Sequence, residues 1–222
     1  MIINQKHVDK LNKLLGESKP ENIILKSIEE FNDKVVYVCS FGTESAIILH
    51  MISKINKNFP IILLNTNFLF SETICYKEEL LKKFNLKNCK EIFPNKNIIK
   101  KKDPDNELWK SNINKCCDLR KVKPLQKELK YYDSWISGRK SYHLGLRVNL
   151  KPFEIKNEKI VINPLANFGK KEVNNYFLEN KIPRHPLFNQ GYLSIGCMHC
   201  TSKAKNNDDI RSGRWENLTK TE

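Results

Sequence analysis

The sequence predicts an α/β protein: a parallel sheet with helices on both faces. Two observations carry this reading. Val35-Val36-Tyr37-Val38-Cys39 and Pro60-Ile61-Ile62-Leu63-Leu64 are short, continuous apolar runs, the pattern of strands buried on both faces. Each run gives way to a polar turn and then to a helix-period segment, residues 46–55 after the first and 72–84 after the second. Strand and helix alternating in this way mark parallel strands joined by crossovers.

The elements follow in order. Residues 8–15 and 23–31 read as amphipathic helices, with Ile24, Leu25, Ile28 and Phe31 at helical spacing. The first strand ends in Ser40-Phe41-Gly42-Thr43-Glu44-Ser45 and a helix follows, which is the order of a phosphate cradle, with turn amides and a helix N-terminus in one place. An ordinary βα turn in which Ser and Thr cap the helix fits equally well. The Walker pattern is not matched, since it needs a Lys before its Ser or Thr. Asn65-Thr66-Asn67 lies at the carboxyl end of the second strand, where open α/β sheets place ligands. A weaker third strand covers 89–93, and Cys39, Cys75 and Cys89 are expected to pack as small hydrophobes.

Residues 94–114 are polar and poorly periodic, so a mobile loop is expected, with Trp109 closing over a ligand. A helix over 115–129 follows, placing Cys116, Arg120 and Lys121 within about one turn of each other. Residues 134–140 read as a strand entering a basic loop that ends at Arg147, and 155–162 as a hairpin turning at Asn157-Glu158. A helix covers 170–180, and the two prolines in 182–187 exclude regular structure there. Near the end, Arg211 and Arg214 bracket Ser-Gly, a spacing that can clamp an oxyanion or belong to a solvated basic tail.

Chemistry concentrates in four of the seven cysteines. Cys197 and Cys200 form a CxxC, which sets two thiolates on one tight turn, and Cys116-Cys117 is an adjacent pair far upstream. Together they suggest a four-thiolate site closed across the fold. A disulfide, a structural zinc and an iron-sulfur cluster all remain open. The disulfide is disfavoured because the start of the chain lacks a secretory pattern, which points to a reducing, cytoplasmic setting. Adjacent cysteines are an uncommon zinc knuckle. His199, between the CxxC thiols, is expected to point away.

With 222 residues the chain suits one domain, with a main part at 1–188 and a C-terminal segment at 189–222. No apolar run approaches the roughly 20 residues that span a bilayer. The formal charge of +14 raises nucleic-acid binding as a possibility. It is discounted, because Lys54, Lys57, Lys82 and Lys83 fall on solvated helix faces and no basic stretch is interleaved with stacking aromatics. The same field would attract a small dianion.

These motifs, taken in order, resemble the assimilatory adenylyl-sulfate and phosphoadenylyl-sulfate reductases. Ser40-Phe41-Gly42-Thr43-Glu44-Ser45 is similar to the family's variant of the pyrophosphatase-type loop. Cys116-Cys117 with Arg120-Lys121-Val122 and Pro124-Leu125, Tyr192 with Ser194-Ile195-Gly196-Cys197 and Cys200-Thr201, and Arg211 with Gly213-Arg214-Trp215 resemble the cluster-bearing branch. The resemblance implies an adenine-nucleotide alpha hydrolase-like, Rossmann-like sheet, with a nucleotide-binding part at 1–188 and a cluster- and substrate-binding segment at 189–222, and a 4Fe-4S cluster on Cys116, Cys117, Cys197 and Cys200. It also implies reduction of adenylyl sulfate to sulfite and AMP with electrons from thioredoxin or glutaredoxin. In that picture a cysteine thiolate attacks sulfur, AMP leaves, and an S-sulfocysteine remains for the reductant. Lys121, Arg147, Arg211 and Arg214 would neutralise the sulfate, and the turn after Cys39, with Leu64, Thr66 and Gly138, would hold the nucleotide. A homo-oligomer is expected, with neither nucleic acid nor membrane as a partner.

Three departures bear on this. Asn65 stands where the family has Asp, and Lys140-Ser141-Tyr142-His143-Leu144 replaces an Arg-Arg-x-Gln-Ser run. The family's nucleophile lies in a Lys-Thr-Glu-Cys-Gly tail, whereas this sequence ends at Lys220-Thr221-Glu222. The expectation is a chain that binds cluster and substrate and turns over little. Rival readings are a reductase for the 3′-phosphorylated substrate, an ATP-using pyrophosphatase of the same superfamily, and a cluster-bearing nucleic-acid module.

Overall fold

A computed structural model describes residues 3–206 and 209–216. Its centre is a six-stranded sheet in the order β3-β2-β1-β4-β6-β5, formed by β1 (Val35–Cys39), β2 (Ile61–Leu64), β3 (Cys89–Ile92), β4 (Ser134–Ile136), β5 (Phe153–Lys156) and β6 (Lys159–Ile162). All neighbours are parallel except the edge hairpin β5–β6. That hairpin turns on Asn157 and Glu158, both at positive φ, the turn geometry that matches the twist of paired strands.

Alternation along β1 separates the two faces. Val35, Tyr37 and Cys39 belong to the larger core, closed by α1 (Gln5–Leu15), α2 (Pro20–Phe31), α3 (Ser45–Ile55), α4 (Ser71–Phe84) and, after the sheet, α9 (Lys170–Glu179). Val36 packs on the other face with Ile62 and Leu129, and Val38, Leu125 and Trp135 adjoin them. Ile47, Ile48, Leu49, Met51 and Ile52 of α3 are wholly buried, each contributing about 1.5–3 kcal/mol of burial relative to exposure. Among the described residues no helix is long and apolar enough to cross a membrane.

The expected mobile loop at 94–114 is largely helical instead. It holds α5 (Lys96–Lys102) and α6 (Leu108–Ser111) and leads into α7 (Ile113–Cys117). The asparagines that made the segment look irregular are helix caps. Asn95 accepts from the amides of Asn97 and Ile98 at 3.0 and 3.1 Å, and Asn112 accepts from Lys115 at 2.9 Å. The helix expected over 115–129 is also interrupted: a π turn at Asp118–Val122 separates α7 from α8 (Lys123–Glu128). The fourth strand stops at Ile136, before the basic loop. Cys39 is buried as expected, Cys89 is half-buried, and Cys75 is exposed because it lies on the outer face of α4.

One side chain fastens the whole 103–120 segment. Arg120, 1 % exposed, donates to Asp103 Oδ2 at 2.6 Å, Asn106 Oδ1 at 2.7 Å and the Thr66 carbonyl at 3.1 Å, and its guanidinium lies 4.0 Å from the Phe68 ring centroid. The end of β2 is thereby tied to the segment that carries the paired cysteines. Arg120→Ala would strand the buried Asp103 carboxylate, so chemical denaturation should show a loss of about 3–5 kcal/mol; wild-type stability would contradict this anchoring role.

Candidate active site

The strand order reverses direction beside β1, which has β2 on one side and β4 on the other. A crevice opens at such a point outside the carboxyl ends of the strands. Here it is a cavity of about 310 Å³, lined by the turn after β1, the loop after β4 and the C-terminal segment.

The turn after β1 is fixed locally. Phe41, at φ 49°, is driven into the core with no exposed surface, and its amide donates to Cys39 Sγ at 3.4 Å. The Gly42 amide donates to Ser45 Oγ at 3.1 Å. Ser40, Gly42, Thr43, Glu44 and Ser45 therefore face the cavity at the head of α3, while Phe41 is a structural plug. Thr43 does not cap the helix: its hydroxyl donates to the Leu193 carbonyl at 2.8 Å, tying the turn to the C-terminal segment.

That segment is clamped against the loop that follows β2. The Met198 amide donates to the Phe68 carbonyl at 2.8 Å, and Leu69 forms an isolated antiparallel bridge with Cys197. A second bridge joins Thr201 to Arg214, supported by the Ser202 amide donating to the Gly213 carbonyl at 2.8 Å. A Cβ at Gly213 would sit 2.2 Å from the Ser202 carbonyl oxygen, and one at Gly196 would sit 2.2 Å from Arg214 Nη1. Glycine at these two positions lets the arginine segment lie flat and its guanidinium cross the backbone at 196.

Six cations line the cavity: the four expected, Lys121 from the π turn, Arg147 from the loop after β4, and Arg211 and Arg214 from the end, together with Arg139 and Lys140, which pair with Glu154 and Glu44. The Arg214 guanidinium also contacts the Thr201 hydroxyl and lies 4.9 Å from the Trp215 ring centroid. Burial lowers its pKa, and the nearby Cys197, Cys200 and Cys117 oppose that shift.

The thiols form a second, smaller cavity of about 10 Å³ next to the first. Cys116, Cys117, Cys197 and Cys200 line it with Phe68, Trp109, His199 and Trp215, and Lys121 borders both cavities. Burial pushes the Cys116 thiol up to about 12, with Cys117 adding to the rise and Arg120 opposing it. Cys200 is raised for the same first reason. Trp109 stacks on His199 at 4.3 Å with 2° between the planes, and Phe68 meets His199 edge-on at 4.8 Å. His199 thus lines the thiol cavity instead of pointing away, and Trp109 stacks on it there and does not line the larger cavity. Among the described residues no group of three or more His, Cys, Asp or Glu is gathered as a metal-ion ligand set.

Of the expected nucleotide contacts, Gly138 lines the larger cavity, whereas Leu64 and Thr66 do not. Leu64 packs with the smaller core, and buried Thr66 lies with its hydroxyl 3.2 Å from Cys197 Sγ, on the thiol side. Asn65 donates to Glu91 Oε2 at 2.8 Å, and Glu91 is also paired with Lys77. An ionised aspartate could not make that donation. Sequence reasoning missed Arg139, Lys140 and His143, all on the cavity wall. The buried Lys140 ammonium pairs with Glu44 Oε2 at 2.9 Å and His143 Nε2 with the same oxygen at 3.0 Å, while Tyr142 donates to the other oxygen. Burial alone would raise the Glu44 carboxyl, yet Lys140 and His143 hold it well below the usual carboxylate range. An acidic residue in the turn followed by an unusual Lys-x-x-His in a basic loop was the available signal. The terminal Lys220-Thr221-Glu222 lies outside the described residues.

Residues 34–203 match the phosphoadenosine phosphosulfate reductase domain. The adenosine 5′-phosphosulfate reductase of Mesorhizobium japonicum is 39% identical over 213 residues, covering 96% of this chain and 84% of the relative. Its counterpart from Chelativorans sp. is 36% identical over 214 residues, covering 96% and 87%. The crystal structure of phosphoadenylyl-sulfate reductase from Candida auris, in complex with phosphate, superposes with a TM-score of 0.77 at 29% identity over 91% of this chain and 99% of that one. Candida glabrata FMN adenylyltransferase, 14% identical with a TM-score of 0.61 over 91% of this chain and 75% of that one, shares the fold alone. With a crevice at the strand-order reversal and a fold and sequence held in common with these reductases, this chain belongs to the phosphoadenosine phosphosulfate reductase family.

Proposed function

We propose that this chain is the substrate- and cofactor-binding body of an adenylyl-sulfate reductase acting in assimilatory sulfate reduction. The observation that carries the reading is the convergence of Lys121, Arg147, Arg211 and Arg214 on one crevice at the end of β1. These four, beside Arg139 and Lys140 that pair with carboxylates, suit a substrate with adjacent phosphate and sulfate groups, and the head of α3 adds a partial positive charge. The relatives named adenosine 5′-phosphosulfate reductase favour adenylyl sulfate over its 3′-phosphorylated form.

In the proposed reaction a cysteine thiolate attacks the sulfate sulfur, a sulfur–sulfur bond forms, and the bond from sulfur to the bridging oxygen breaks. AMP departs with that electron pair. A thioredoxin or glutaredoxin dithiol then attacks the resulting S-sulfocysteine, releasing sulfite and leaving a protein disulfide. The guanidinium groups hold the sulfonate and neutralise charge that builds on the AMP phosphate. None of the seven cysteines lines the larger cavity; the resemblance assigns the attacking thiol to a cysteine in a Lys-Thr-Glu-Cys-Gly tail.

The donor set at the second cavity fits a 4Fe-4S cluster. Four soft thiols face one largely dry pocket, with Arg120, Lys121 and Arg214 near enough to offset thiolate charge once metal displaces the protons. When bound, such a cluster would supply fixed charge and rigidity beside the substrate site. Lys121 then faces both the bound sulfate and the thiolate ligands, which aligns the two sites electrostatically.

Two outcomes test this reading. Arg214→Ala should weaken adenylyl sulfate binding by about tenfold or more in calorimetry, the scale of one lost charge-assisted contact; unchanged affinity would remove Arg214 from the site. Extending the chain by Cys-Gly-Ile-His should yield, on mixing with adenylyl sulfate, a protein heavier by one sulfonate group with stoichiometric AMP release. A Ser-for-Cys extension should yield neither, and sulfonation of that control would contradict the proposed nucleophile.

A further inference from the structure

The loop after β4 departs from the reductase pattern where it meets Glu44, and the departing residues form a connected unit. His143 Nε2 lies 3.0 Å from Glu44 Oε2, and its Nδ1 lies 3.3 Å from Arg147 Nη1. The ring is 10% exposed, and the Tyr142 ring meets it edge-on at 4.6 Å. Tyr142 in turn donates to Glu44, so the same carboxylate sets the positions of both rings.

These contacts define a protonation state. An ionised carboxylate only accepts hydrogen bonds and a guanidinium only donates them. His143 therefore carries its proton on Nε2, toward Glu44, and offers the Nδ1 lone pair to Arg147. Only the neutral ring satisfies both neighbours. In the imidazolium form an N–H would point at the guanidinium, setting donor against donor and cation against cation.

We propose that His143 is a positioning residue, its neutral ring linking the fixed carboxylate of Glu44 to the guanidinium of Arg147 and so setting the angle at which Arg147 enters the substrate cavity. The other charged groups around the ring agree with a neutral imidazole. Burial lowers the His143 pKa, Glu44 opposes that shift, and Lys140 and Arg147 add to it. Glu44 stays ionised because its own carboxyl is held low, and Arg184, on the segment after α9, acts favourably on both Glu44 and Tyr142. His143 is thus the group that titrates as the pH falls. The folded pKa lies below the ordinary 6.5, so the contact to Arg147 is complete at neutral pH and is lost on acidification through that lowered value.

The role of Arg147 toward adenylyl sulfate rests on the function proposed above, whereas the ring's hold on Arg147 does not, and the experiment separates them. In long-range proton–nitrogen correlation spectra of the full chain, His143, assigned by the loss of its signals in His143→Gln, should show the Nε2–H tautomer. Its midpoint should rise in Arg147→Ala as a neighbouring cation is removed. An Nδ1–H tautomer, or an unmoved midpoint, would overturn the proposal. In titrations with adenylyl sulfate, wild-type affinity should fall by about tenfold as the pH drops through that midpoint, the scale of one lost oriented cation. His143→Gln, whose amide also donates on one side and accepts on the other, should keep neutral-pH affinity and lose the fall; His143→Leu should bind weakly at every pH. An equal fall in wild type and His143→Gln would overturn the linkage. A wild-type chain that binds no adenylyl sulfate, with tautomer and midpoint as stated, would overturn the reductase reading and leave the hold on Arg147 standing.

Discussion

Cations do not gather around a small cavity without anions to oppose them, and the organisation of this protein follows from that constraint. Lys121, Arg147, Arg211 and Arg214 share one crevice with the Glu44 carboxylate, and two places beside them can hold further negative charge. A dianionic ligand would occupy the crevice itself. Behind it lie four thiols, neutral while protonated in their apolar pocket and anionic once metal takes their protons. Lys121 borders both cavities, so occupancy of each reduces the electrostatic cost of keeping cations beside the other.

The scaffold converts this requirement into geometry through buried polar anchors. Arg120 joins the end of β2 to the helix bearing Cys116 and Cys117, and the Thr66 hydroxyl lies against Cys197. Thr43 ties the nucleotide turn to Leu193. Each anchor spans a long sequence separation, so the two cavities form only when the C-terminal segment is laid across the loops at the carboxyl ends of β1 and β2. Glycine at 196 and 213 allows that segment to lie close enough.

Much of this was legible in the sequence. The apolar runs at 35–39 and 61–64 fall on β1 and β2 because buried parallel strands demand continuous hydrophobicity, and the hairpin at Asn157-Glu158 falls where two residues take positive φ. The four cysteines were readable as one set from residue type and spacing. Legibility failed where a polar residue had a partner far away in sequence. The asparagines at 95 and 112 read as loop but cap helices, and Thr66 read as a nucleotide contact but lies against a thiol. Phe41, in a turn taken to face ligand, is a core plug, and the Glu44–Lys140–His143 unit bridges about a hundred residues that no local pattern connects.

Central to the account is that a four-thiol metal site and an anion site stand side by side and share Lys121. Anaerobic purification with iron and acid-labile sulfide analysis and Mössbauer spectroscopy, followed by titration with adenylyl sulfate, tests both halves on one sample. The account predicts four irons and four sulfides per chain, with adenylyl sulfate bound. A single zinc with no nucleotide binding would contradict it and return the four cysteines to a structural role.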